Sequence, residues 1–113
     1  MTKLDLRTGS TAVMVLRLLA ERPMYGYQIV KDLQTRSEGY FDLEQGTLYP
    51  TLHRLEKDNL VESKWEVVED GPSRKYYYIT PQGRAELAES AKQWSDFSQH
   101  LLKLLEGLAQ ATS

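Results

Sequence analysis

The sequence predicts a mainly α-helical chain carrying one small β-hairpin, and three observations lead there. Apolar residues recur at helical spacing in three segments before residue 59. Between Leu60 and Ile79 the chain becomes rich in Val, Trp, Tyr and Ile, broken by a polar Asp70-Gly71-Pro72-Ser73 stretch. From Pro81 to about Ala109 helical spacing returns, with a long and nearly continuous apolar stripe.

The first segment, Thr11 to Arg22, carries Val13, Met14, Leu16 and Leu18-Leu19 at helical density. Thr8 or Ser10 serves as its N-cap, and Pro23 stops it because the residue before a proline is pushed out of helical geometry. The second, about Tyr25 to Ser37, sets Tyr25, Ile29, Val30 and Leu33 on one stripe and Lys31, Asp32, Gln34 and Arg36 away from it. A polar loop with Gly39 follows.

The third segment runs from about Gln45 to Asp58. Leu48, Leu52 and Leu55 fall in one narrow arc and face the core. Pro50, His53, Arg54 and Lys57 point the other way, with Thr47 and Tyr49 at the flanks. Pro50 belongs in a first turn, so the helix starts no earlier than about Gln45. Such an outward face suits a DNA groove, and it suits equally a solvated helix with a few cations.

Leu60 to Glu69 and Arg74 to Ile79 then form the hairpin, in which Tyr76, Tyr77 and Tyr78 alternate between core and surface. Thr80-Pro81 is an N-cap followed by Pro at the first helical position. Helix, helix, helix, hairpin is the order of a winged helix-turn-helix, placed here at 1–80. Residues 81–113 add a long C-terminal helix. In it Leu87, Ala91, Trp94, Ser98, Leu101, Leu105 and Leu108 recur in steps of four and three, with Phe97, Leu102 and Leu104 widening the seam. At 1.5 Å per residue that helix is about 40 Å long, more than an ~80-residue domain covers. A second copy of the chain is the simplest cover, so dimerisation is expected.

Composition narrows the function classes. The 113 residues are 41% hydrophobic and carry a formal net charge of −2, which excludes a histone-like polycation. There is no Cys, so neither a disulfide framework nor a Cys-ligated zinc site is expected. The longest apolar runs, Ala12 to Leu16 and Leu18 to Ala20, are too short for a bilayer, and Asp5 and Arg17 spoil a signal peptide. A cytoplasmic protein is expected. His53 with Glu56, and Asp96 with His100, each offer two metal ligands and no third, and no nucleophile set or phosphate loop is visible. An enzyme, a metal and a cofactor are therefore not expected.

Cations do converge. Arg74 and Lys75 follow the hairpin tip, Lys64 lies on the facing strand, and Arg54 and Lys57 lie on the third helix. Residues 1–80 hold eleven Lys and Arg against twelve Asp and Glu, so binding would rest on local geometry and dimeric avidity. A tyrosine platform for single strands is the sharper alternative for Tyr76 to Tyr78.

Three motifs, in order, resemble the PadR family of bacterial transcriptional regulators: Pro23-Met24-Tyr25-Gly26-Tyr27-Gln28-Ile29, Gly46-Thr47-Leu48-Tyr49-Pro50-Thr51-Leu52-His53-Arg54-Leu55-Glu56, and Gly71 to Gly83 with Arg74-Lys75-Tyr76-Tyr77-Tyr78 at its centre. The short chain with one C-terminal helix bearing Trp94 is similar to the compact members. The resemblance implies a homodimeric repressor that binds a palindromic operator on double-stranded DNA and is released by a small effector. It places Gln45, Thr47, Tyr49, Pro50 and His53 in the groove, Arg74 and Lys75 at the backbone or minor groove, and Tyr25 beside a phosphate, with Gly26 permitting close approach. Met24 stands where His is common in the family, and no role is carried to it.

One site remains to be read. Trp94 lies on the seam one heptad from Leu87 and Leu101, so in a dimer it approaches its symmetry mate. With Phe97, Ala91, Ala12 and Val15 it would line a flat slot for a planar aromatic effector, or else pack as interface core.

Overall fold

A computed structural model of the chain describes residues 8–67, 69 and 71–108. Asp70 of the hairpin tip and the capping side chain of Thr8 lie outside the described parts, and the last helix stops at Leu105, short of the expected Ala109, because Glu106 turns extended and Gly107 takes φ 89°. The order is α1 (Thr8–Glu21), β1 (Met24–Tyr25), α2 (Gly26–Arg36), α3 (Gln45–Lys57), β2 (Val61–Glu66), β3 (Arg74–Ile79) and α4 (Pro81–Leu105).

The core is formed where α1, α2 and α3 meet the inner face of the sheet. Val15, Leu16, Leu18 and Leu19 of α1 pack with Ile29 and Leu33 of α2, Leu48, Leu52 and Leu55 of α3, and Met24, Val61 and Tyr77 of the strands. The arc drawn through Leu48, Leu52 and Leu55 is therefore the buried side of α3. Helix α1 begins three residues before the expected Thr11.

Two differences from expectation have clear causes. The hairpin is the larger part of a three-stranded antiparallel sheet, order β1-β3-β2, in which Met24 pairs with Tyr77 and Tyr25 with Tyr76. Two residues between helices are too few for any strand periodicity, and only the free edge of β3 recruits them. Pro50 is the sixth residue of α3 rather than part of its first turn. It has no N–H for the Gly46 carbonyl, but Gly46 sits in the exposed first turn, where water can take that bond.

Helix α3 ends in a Schellman motif. Asn59 takes φ 62°, Leu60 N–H donates to the Leu55 carbonyl at 2.9 Å, and Asn59 N–H to that of Glu56 at 3.0 Å. This turn aims β2 back along α3. Thr80 then fastens the start of α4 to it: its hydroxyl donates to the Asn59 carbonyl at 2.7 Å and accepts from Gly83 N–H at 2.9 Å. Gly83 is buried, Leu87 packs against the core, and the first turns of α4 lie along α1.

Candidate nucleic-acid interface

On α3, Gln45, Thr47, Tyr49, Pro50, His53 and Arg54 are all solvent-exposed, opposite the leucine arc. Thr51 is buried among the leucines without penalty, because its hydroxyl donates to the Thr47 carbonyl at 3.0 Å. The helix therefore presents one polar face along its length, and Tyr49 marks the edge nearest the sheet.

Strand alternation sorts the wing. Val61 pairs with Ile79, Ser63 with Tyr77 and Trp65 with Lys75, and cross-strand partners share a face. That face looks toward α3, since Ser63 Oγ donates to Glu56 Oε2 at 2.6 Å. Glu62 with Tyr78, Lys64 with Tyr76 and Glu66 with Arg74 form the outer face. Arg74 and Lys75, adjacent in sequence, thus straddle the strand.

Each wing cation is held by an aromatic ring. The Arg74 guanidinium lies 4.5 Å from the centre of the Tyr25 ring and donates to the Tyr25 hydroxyl. Tyr25 meets Tyr76 edge to face at 5.3 Å. The Lys75 ammonium is 5.8 Å from the Tyr77 ring, and that of Lys64 is 5.2 Å from the Tyr78 ring. Tyr78 donates to a Glu66 carboxylate oxygen, which raises its pKa above the usual tyrosine value. With Tyr77 in the core, Tyr76 against Tyr25 and Tyr78 tied to Glu66, the three tyrosines form no continuous stacking surface.

Between α3 and the wing these groups enclose an open cleft of about 280 Å³, lined by Tyr25, Gly26, Tyr49, Trp65, Ser73, Arg74, Lys75 and Tyr77. Gly26 is required for its shape: a Cβ there would lie 2.6 Å from the Tyr49 hydroxyl oxygen. Among the described residues the lining contains two cations and no carboxylate. Tyr25, Tyr49, Arg74 and Lys75 are thereby brought together, Arg74 reaching the cleft from the outer face of its strand, while Lys64, on that same outer face, is not part of the lining. Sequence reasoning passed over Trp65, although its pairing with Lys75 follows from alternation once the hairpin register is known.

Residues 15–89, which span α1 to the first turns of α4, match the transcriptional regulator PadR-like family. The chain belongs to that family. The transcriptional regulator Rv3488 of Mycobacterium tuberculosis is 33% identical over 98 residues, covering 87% of this chain and 88% of the relative. A transcriptional regulator from Clostridium thermocellum superposes with a TM-score of 0.82 at 28% identity, over 91% of this chain and all of that one. A PadR family transcriptional regulator from Eggerthella lenta gives 0.76 at 39% identity, over 89% and 86% of the two chains. PadR proteins are transcriptional regulators rather than enzymes, and they bind DNA through the winged helix.

The second site expected from the sequence lies on α4. Trp94 and Phe97 are half-buried and meet edge to face at 5.8 Å. Ala91 and Ser98 are exposed on the same helix, and Ala12 is half-buried on α1, the helix against which α4 packs. Val15 is withdrawn from the expected slot: it is 0% exposed within the protomer core and offers no surface to a ligand. Beyond Phe97, Leu101, Leu102, Leu104 and Leu105 of α4 are exposed, as is Leu108 past the end of the helix.

The two carboxylate–imidazole pairs are otherwise engaged. Glu56 accepts from Ser63, and His100 Nδ1 lies 2.6 Å from the Asp96 carbonyl oxygen. Among the described residues no three His, Asp or Glu side chains gather as a metal site, and no helix is long and apolar enough to cross a membrane.

Proposed function

We propose that this PadR protein is a homodimeric, sequence-specific repressor that binds an inverted-repeat operator and releases it when a planar aromatic effector binds. The single observation that carries the DNA reading is the cleft where Tyr25, Tyr49, Arg74 and Lys75 converge beside the polar face of α3. Groove-facing side chains on a helix read base edges, while flanking cations hold the backbone. Residues Gln45, Thr47, Tyr49, Pro50 and His53 take the first role; Arg54, Arg74, Lys75 and the Tyr25 hydroxyl take the second.

Dimerisation is supported by four exposed leucines of distal α4, Leu101, Leu102, Leu104 and Leu105. A two-fold pairing along Leu87, Ala91, Trp94, Ser98, Leu101, Leu105 and Leu108 would remove that apolar stripe from water. It would also set two α3 helices on one side, so the operator would be an inverted repeat with half-sites about one helical turn, or a multiple, apart. Trp94 and Phe97, with Ala91 and Ala12 nearby, would form the effector slot near the two-fold axis.

A mobility-shift assay on the DNA upstream of the coding sequence tests the reading. Binding at low salt, lost on adding a planar aromatic dye that saturably quenches Trp94 in a Trp65→Phe background, supports it. No shift at micromolar protein overturns the operator and favours a winged-helix module whose α4 docks another protein.

A further inference from the structure

We infer that Trp65 is a DNA-contacting residue of the wing, laying its indole face on a deoxyribose of the duplex backbone beside Arg74 and Lys75. The inference rests on the reading of the α3–wing face as the DNA interface and adds to it a contact of a different chemical kind.

Trp65 is 69% exposed, although the indole is among the most costly side chains to leave in water. Its place in the strand is not accidental to the cleft. It pairs with Lys75 on the inner face, two residues beyond Ser63, which is hydrogen-bonded to α3. It therefore stands where the inner face of the wing runs out past the core, across the cleft from Tyr49. Arg74 and Lys75 line the cleft together with the indole, and among the described residues that line it none is acidic.

That surrounding selects the occupant. An acidic or purely apolar partner would leave either the indole or the cations unmatched, whereas a nucleic-acid backbone offers both chemistries at once. Phosphates meet Arg74 and Lys75, and the C–H surface of the intervening sugar meets the ring. The indole N–H is a donor with no acceptor capacity, which suits a phosphate oxygen, and a ring laid on a sugar reads no base edge. The contact so placed is to the backbone, and independent of sequence.

An apolar contact displaces no condensed counterions, so its removal is distinguishable from the removal of a cation. With a mixed-sequence duplex, Trp65→Ala should weaken binding by about tenfold for each protomer that touches the duplex, the scale of losing one aromatic contact to nucleic acid. The loss should be the same at every salt concentration, leaving the slope of log K against log salt unchanged. Trp65→Phe should restore most of the affinity. In a Trp94→Phe background, saturating duplex should shift the Trp65 emission to the blue and shield it from acrylamide. Melting of Trp65→Ala should stay close to that of the unaltered chain, since the indole is largely exposed.

Equal affinity of Trp65→Ala and the unaltered chain, or a Trp65 emission indifferent to saturating duplex, overturns this inference alone. Failure of the unaltered chain to bind any duplex at low salt overturns the DNA interface and this inference together.

Discussion

Replacing Arg74 and Lys75 together by Ala should flatten the salt dependence of DNA binding, and the structure sets the size of the effect. Among the described residues the ion pairs are Arg17–Glu21, Arg36–Glu21 and Arg36–Asp32, so no described carboxylate competes for either wing cation. Both cations rest on tyrosine rings, which orient the charge without neutralising it. Each is then able to displace one counterion from the duplex, worth about 0.9 in the slope of log K against log salt. A dimer carries four such groups. Because Arg74 and Lys75 straddle the strand, the slope change is about 3.6 if both reach phosphates and about 1.8 if one does. Over a fourfold rise in salt the larger value separates variant from unaltered protein by about a hundredfold in affinity change. Fluorescence anisotropy on a labelled duplex at four or five salt concentrations measures it. A slope unchanged within error would remove the wing from the interface and refute the argument, whatever happened to the affinity itself.

Leu101→Asp should yield a monomer at micromolar concentration with its helix content retained, because Leu101 is exposed in the protomer and a buried unpaired carboxylate costs several kcal/mol at an interface; sedimentation showing an intact dimer would refute the seam. Gly83→Ala should destabilise the fold by about 2–3 kcal/mol, as forced overpacking does. Its Cβ would run into the Leu60 backbone carbonyl oxygen and lie 2.8 Å from Ile79 Cγ1, and a thermal melt within 2 °C of the parent would be inconsistent with that clash. Burial, with Glu56 and Tyr49 nearby, raises the Tyr77 pKa above the usual value of about 10. The stabilisation from its neutral hydroxyl is complete below pH ~10 and is lost as the pH rises toward the folded-state pKa, so Tyr77→Phe should melt with a shallower decline above pH 10 than the parent.

Much of this was legible in the chain because it is local. The leucine arc of α3, the Thr80 cap and the Asn59 break each follow from side-chain spacing or backbone preference within a turn or two. Glu38 shows the limit of such local preference: it takes φ 54° at the end of α2, a position that favours glycine, with Gly39 beside it at φ 84°. The α2 end nonetheless falls at Arg36, within one residue of the expected Ser37. Site residues were legible by type, in that aromatic and cationic side chains near the hairpin tip point to a polyanion. Their partners were not.

What the sequence by itself determined is the order of elements, the buried face of each helix and the uncovered stripe of α4, all of which depend on residues less than about ten positions apart. What only the tertiary structure decided is which side chains share a surface. Tyr25 lies 49 residues from Arg74, and no periodicity links them; they meet because Tyr25 joins the free edge of β3 beside Tyr76. Gly26 has a close approach only through the family resemblance until Tyr49 is found against it. Val15 and Ala12 lie on the same helix, yet the packing of α1 against the rest of the core buries the first and leaves the second partly open. Long-range contacts of this kind depend on how whole elements dock, which is set by the summed burial of many side chains rather than by any one of them.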